Sequence, residues 1–186
     1  MFRRRSFLKS SSLIAGGLIL PKLSFKSKKL NQKKLKIAVV GCGGRGTGAA
    51  VQALRADNNV ELVTLADAFK DRLEASLNAI KDEFEGEMEI DIKEKNKFVG
   101  FDAYKKAIDK SDVVILASPP GFRPAHFEYA INKNKHVFME KPVATDAHGV
   151  RQVLNSARKA KEKNLNVVVG LQRRYQKSYL SAKKQI

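Results

Sequence analysis

The sequence has 186 residues, 43% hydrophobic and 30% charged, enough for one folded core and unlike the composition of a disordered chain. Its formal charge of +17 raises the question of nucleic-acid binding, but 11 of the 36 Lys and Arg crowd into residues 1–36, where no acid stands. The remaining 25 basic residues face 19 acids, a net of only +6 scattered over helix faces, which argues against a nucleic-acid partner.

Residues 1–20 join Arg3, Arg4 and Arg5 to an apolar stretch at 13–20, well short of the roughly 20 residues a membrane-spanning helix needs. A basic head before a short apolar run is the layout of an export signal. Arg4-Arg5-Ser6-Phe7-Leu8-Lys9 also resembles the twin-arginine motif R-R-x-F-L-K, which implies export of the folded protein to the periplasm. No clean small-residue cleavage site follows, so a cleaved leader and a retained N-terminal anchor both stay open, and membrane contact is expected only through this segment. Residues 1–34 are therefore read as export signal and basic linker.

From residue 35 the pattern alternates. Apolar β-branched runs at 36–40, 60–66, 113–117, 136–139 and 167–169 read as buried strands, with a short strand at 97–100. Between them, residues 47–56, 70–84, 103–110, 125–132 and 146–163 read as helices, with Leu73, Leu77, Ile80 and Phe84 at helical spacing. Asp146 is the expected N-cap of the last of these and Asn164 its stop. Residues 85–96 are charged and read as an irregular surface excursion. Strictly alternating strands and helices predict an α/β fold, a doubly wound parallel sheet with helices on both faces, over residues 35–175. Residues 176–186 open another helix with no stop signal, so the polypeptide is expected to continue.

The motifs fall at strand ends. Gly41, Gly43 and Gly46 form G-x-G-x-x-G between a strand and a helix, the context that makes this motif a dinucleotide cradle. Gly41 permits a tight turn, Gly43 lets backbone approach a pyrophosphate, and Gly46 lets helix and strand pack closely. Cys42, Gly44 and Arg45 complete the loop. Cys42 is the only cysteine, so no intrachain disulfide forms; it reads as a small filler, and Cys/His zinc spacing is absent, so no metal is expected. Asp67 ends the second strand 21 positions after Gly46, where a carboxylate binds a ribose diol or, alternatively, caps the next helix. A 2′-phosphate beside it would be repelled, which favours NAD over NADP, although Arg72 one turn on partly offsets this. Ser118, Pro119 and Pro120 close the fourth strand on the ligand-binding edge, with His126 on the following helix open to a structural or a functional role. Glu140-Lys141-Pro142 closes the fifth strand. From the residues alone Lys141 is either an ordinary strand-end lysine or an ammonium aimed at a substrate hydroxyl, its backbone restricted by Pro142. Gly170-Leu171-Gln172-Arg173-Arg174-Tyr175 closes the sixth strand.

Together these pieces, from the glycine loop through Ala66-Asp67, Pro119 with His126, Lys135-His136-Val137, Glu140-Lys141-Pro142 and Gly170–Tyr175, resemble the Gfo/Idh/MocA family of glucose–fructose oxidoreductases, inositol dehydrogenases and relatives. The resemblance implies an NAD(P)-dependent oxidoreductase acting on a sugar, polyol or sugar derivative. It makes Lys141 a catalytic-site lysine and places Arg173, Arg174 or Tyr175 near cofactor or substrate. It also implies a second, mostly antiparallel α+β domain that completes the catalytic site and often mediates homo-oligomerisation. That domain is not in these 186 residues, so the chain by itself is expected to bind a dinucleotide without turning over. Two alternatives remain at this point: an NAD-dependent glycoside hydrolase on a related scaffold, against which the plain E-K-P element argues, and a non-catalytic dinucleotide-binding protein.

Overall fold

The computed structural model describes residues 33–186. The export signal and linker expected over 1–34 lie outside them, apart from Lys33 and Lys34. The described elements run β1 (Leu35–Val40), α1 (Gly44–Ala56), β2 (Val60–Asp67), α2 (Lys70–Glu83), β3 (Lys97–Val99), α3 (Ala103–Asp109), β4 (Val113–Leu116), α4 (Arg123–Asn132), β5 (His136–Met139), α5 (Ala147–Glu162), β6 (Val167–Val169) and α6 (Lys177–Lys184). Short 3-10 turns stand at Glu94–Asn96 and Gln172–Arg174. Among these residues no helix is long and apolar enough to cross a membrane.

The six strands form one parallel sheet in the order β3-β2-β1-β4-β5-β6. This is the order of doubly wound dinucleotide-binding sheets, in which the strand order reverses between β1 and β4. The strands are apolar on both faces because each face carries helices. Along β1, Ile37 and Val39 pack with Leu54, Leu73, Leu77 and Ile80 of α1 and α2, while Ala38 and Val40 pack with Ile108, Phe127, Ile131 and Val153 of α3, α4 and α5. A register shift between Ile37 and Ala38 inserts one extra residue into β2, so that Leu62 and Leu65 join the same core.

Two helix starts differ from the sequence expectation. α1 begins at Gly44, three residues early, and α4 at Arg123, two residues early. Glycine and proline penalise a helix interior, but a first turn needs no intrahelical N–H, so Gly44, Gly46 and Pro124 fit there. The excursion at 85–96 is also less free than its charge suggests. Ile90 and Ile92 are buried, and Met88 packs against them in the α1/α2 core, an alternation visible in the sequence but masked by the acids between. Asp146 caps α5 by accepting the Gly149 N–H at 2.6 Å, and Asn164 takes the left-handed conformation at its end.

The functionally important consequence is the sheet's carboxyl edge. One residue past five of the six strands, backbone ladders continue: Gly41 N–H to Ala66, Gly100 N–H to Asp67, Ala117 N–H to Val40, Glu140 N–H to Leu116 and Gly170 N–H to Met139, all at 2.8–3.0 Å. Every motif singled out from the sequence is thereby delivered to one rim.

Candidate functional site

A cleft of about 470 Å³ opens at that rim. It is walled by Gly41, Gly43 and Arg45 after β1, Asp67 and Arg72 after β2, Ser118, Pro119 and Pro120 after β4, and Glu140 and Lys141 after β5, with His126 behind them. The glycine turn, the acid and the lysine thus share one cavity.

The glycines divide their work as their spacing requires. Gly41 has φ +96° and lies so close to Ala117–Ser118 that a Cβ would meet the Ser118 nitrogen at 2.4 Å. At Gly46 a Cβ would meet the Gly41 carbonyl at 1.9 Å, so α1 seats on the turn only without a side chain. At Gly43 a Cβ would meet nothing within 4 Å: the space is open towards the cleft. The N-terminus of α1 carries no side-chain cap and no acid in its first turn. Its free N–H groups and the helix dipole therefore suit an anion such as a pyrophosphate.

Asp67 is fixed by two backbone donors. Oδ2 accepts the Cys42 N–H at 2.7 Å and Oδ1 accepts the Phe69 N–H at 3.0 Å. An ionised carboxylate has about four lone-pair sites, so both oxygens retain capacity for a diol. The helix-cap alternative does not hold: Asp67 belongs to β2, and α2 is capped at Phe69.

Three members of the glycine loop do not themselves line the cleft. The Cys42 side chain is buried in the α1/α2 core with Sγ 3.5 Å from the Ala66 carbonyl, and its N–H serves Asp67. Burial, reinforced by the Asp67 charge, pushes its thiol up to about 12, so it stays protonated and unreactive. Gly46 is buried in the first turn of α1, and Gly44 is exposed at its start; neither lines the cleft.

Glu140 is buried and accepts from Arg45 Nε at 2.7 Å, tying the glycine loop to the end of β5. Gly170 makes room for it, since a Cβ there would lie 3.0 Å from both carboxylate oxygens. Lys141 is exposed, follows Glu140 directly and precedes a cis bond to Pro142. Among the described residues it forms no ion pair. It borders the main cleft and two further hollows, of about 550 Å³ with Arg45, Gly170 and Tyr175, and of about 370 Å³ with Arg173 and Arg174. Arg173, Arg174 and Tyr175 are therefore neighbours of Lys141 without lining the main cleft. Arg173 donates to the Tyr179 hydroxyl and lies 4.8 Å from its ring centroid.

His126 lies 3.0 Å from Ser118 Oγ through Nδ1 and stacks on Tyr104 at 4.0 Å. Burial, then the Arg123 charge, lowers its pKa to about 4, so the ring is neutral at pH 7. The unfolded chain takes up this proton near the ordinary 6.5 and the folded one only near 4, so acid favours unfolding across that interval. Unfolding free energy is expected to fall by on the order of 2 kcal/mol between those pH values. Denaturant titrations along a pH series check this; His126→Asn should flatten the slope, and an equal slope in both proteins would contradict it.

Sequence reasoning missed several cleft residues. Phe69, Phe101 and Phe122 are 62%, 72% and 48% exposed and rim the cleft; Phe69 and Phe101 stand just past β2 and β3, a position that could have flagged them, and Phe122 directly precedes α4. Arg123 lines the same cleft while only 3% exposed, with nothing local to mark it.

Residues 35–170 match the model of the Gfo/Idh/MocA oxidoreductase family, NAD-binding Rossmann fold. The chain belongs to this family. An inositol 2-dehydrogenase of Cereibacter sphaeroides is 29% identical over 152 residues, which cover 82% of this chain and 41% of that protein. Apo scyllo-inositol dehydrogenase from Lactobacillus casei superposes with a TM-score of 0.62 at 26% identity, covering 82% of this chain and 41% of its own. The same enzyme with bound NAD(H) and scyllo-inositol gives a TM-score of 0.61 at 25% identity, with 82% and 40% covered. The chain thus spans about two fifths of the length of these relatives and represents the NAD-binding Rossmann domain of a Gfo/Idh/MocA protein.

Proposed function

We propose that this chain is the cofactor-holding half of an NAD-dependent dehydrogenase acting on a cyclic polyol or sugar. The observation that carries the reading is the single cleft joining the glycine turn, Asp67 and Lys141. The open space at Gly43 and the uncapped start of α1 fit a pyrophosphate, and Asp67 fits the adenosine ribose. Exposed Phe69 and Phe101, beside the ends of β2 and β3, offer stacking faces to the adenine. Arg45, Arg72, Ser118, Pro119, Pro120, His126 and Glu140 form or support the remaining wall.

When bound, NAD supplies the hydride acceptor for oxidation of an alcohol carbon. Lys141 would hydrogen-bond the substrate hydroxyl and stabilise negative charge as the carbonyl develops. Its ammonium is not committed to any carboxylate among the described residues, which leaves it available. Arg173, Arg174 and Tyr175 would border the substrate. In this reading the group that accepts the hydroxyl proton comes from a further domain, which also supports homo-oligomerisation, and residues 1–34 direct export by the twin-arginine route to the periplasm. The inositol dehydrogenases among the relatives make cyclitols the first substrates to try.

The test is NADH formation by the complete enzyme over a panel of inositols, aldoses and linear polyols. Turnover is expected with at least one cyclic member. Folded protein that binds NAD and turns over none of them would favour a non-catalytic dinucleotide-binding role.

A further inference from the structure

Arg123 is the only buried Lys or Arg among the described residues. It stands at the first position of α4, and that helix is anchored by fully buried Phe127 and Ile131. Its guanidinium forks between two backbone carbonyls, Nη1 donating to Pro142 and Nη2 to Ser118. Ser118 lies in the wall that follows β4, and Pro142 immediately follows Lys141 in the wall that follows β5. Neither carbonyl has a backbone donor among the described residues.

This is a costly arrangement for stability alone. Among the described residues Arg123 forms no ion pair, and its Nε lacks a partner altogether. Burial of the cation is unfavourable and only partly offset by the charge of Glu140, and an apolar side chain of similar volume would fill the space at less cost. What an apolar residue cannot do is hold two carbonyls at a set separation. A planar guanidinium can, because its donors form a rigid fork, whereas a lysine offers its donors from one point.

We propose that Arg123 is a positioning residue: by clamping the carbonyls of Ser118 and Pro142 together, it fixes the turn that carries Lys141 and so sets where that ammonium stands in the cleft. The proposal rests on the reading of Lys141 as the catalytic-site lysine.

The test uses the complete enzyme as wild type, Arg123→Lys and Arg123→Met, with lysines reductively methylated using carbon-13 formaldehyde. The Lys141 methyl resonance is assigned by its loss in Lys141→Arg and is read with and without NAD. In wild type it should be resolved from the exposed lysines and should move when NAD is added. In both variants it should collapse towards the exposed-lysine position and lose that response, and turnover at saturating NAD should fall at least about tenfold. Arg123→Lys keeps the charge, so it protects the test should Arg123→Met not fold. A Lys141 resonance unchanged in a folded variant, whatever happens to the melting temperature, would overturn the proposal. If wild type binds NAD but oxidises no substrate while the resonance still collapses in the variants, the catalytic reading fails and the clamp stands.

Discussion

Replacing Gly46 by Ala should weaken NAD binding by at least about 30-fold and lower the stability of the domain by about 3 kcal/mol. The added Cβ would lie 1.9 Å from the Gly41 carbonyl and 3.3 Å from the Ala117 Cβ. The first of these is backbone and cannot rotate aside, so α1 must lift from the turn. That movement spoils the core beneath Ala49 and Ala50 and displaces the N–H groups at the helix start. Gly43→Ala separates the two effects. Its φ of −76° suits alanine, and the Cβ meets nothing within 4 Å, so stability should barely change. NAD affinity should still fall, because the methyl occupies the space left for phosphate. Melting curves and calorimetric titrations of both variants check the pair; a Gly43→Ala protein that binds NAD like wild type would place the pyrophosphate elsewhere.

Replacing Lys141 by Met should lower turnover of the complete enzyme by about 10²–10⁴-fold, the range for removal of a positioned proton-transfer or charge-stabilising group. NAD affinity should remain within about threefold, since the glycine turn and Asp67 are untouched. Methionine keeps the length and most of the packing of lysine, and Lys141 is exposed, so the fold should survive. Steady-state kinetics at saturating NAD, paired with direct NAD titration, separate the two quantities. Unchanged turnover would remove Lys141 from the chemistry and return it to the role of an ordinary strand-end lysine.

The sheet was legible in the sequence because burial on both faces turns each strand into a continuous apolar run, as at 36–40 and 113–116. The helix starts were not, because Gly44, Gly46 and Pro124 look like breakers wherever the first turn is not recognised. The candidate site was legible to the extent that its residues follow strands: the glycine turn, Asp67, Ser118–Pro120 and Glu140–Lys141 all reach the carboxyl edge by topology alone. Cys42 and Gly46 share that loop and pack behind the cleft, one as a small filler and the other where helix meets strand. Arg123 could not be found this way. What distinguishes it is burial between carbonyls 5 and 19 residues away, a relation created only when the ends of β4 and β5 come together.

Calorimetric titration of NAD and of NADP into the folded chain tests most directly the claim that a dinucleotide lies across the start of α1 with its ribose on Asp67. The account predicts one site, with NAD bound at least about tenfold more tightly than NADP because a 2′-phosphate would face the Asp67 carboxylate. Absence of binding by folded protein, or tighter binding of NADP, would contradict it.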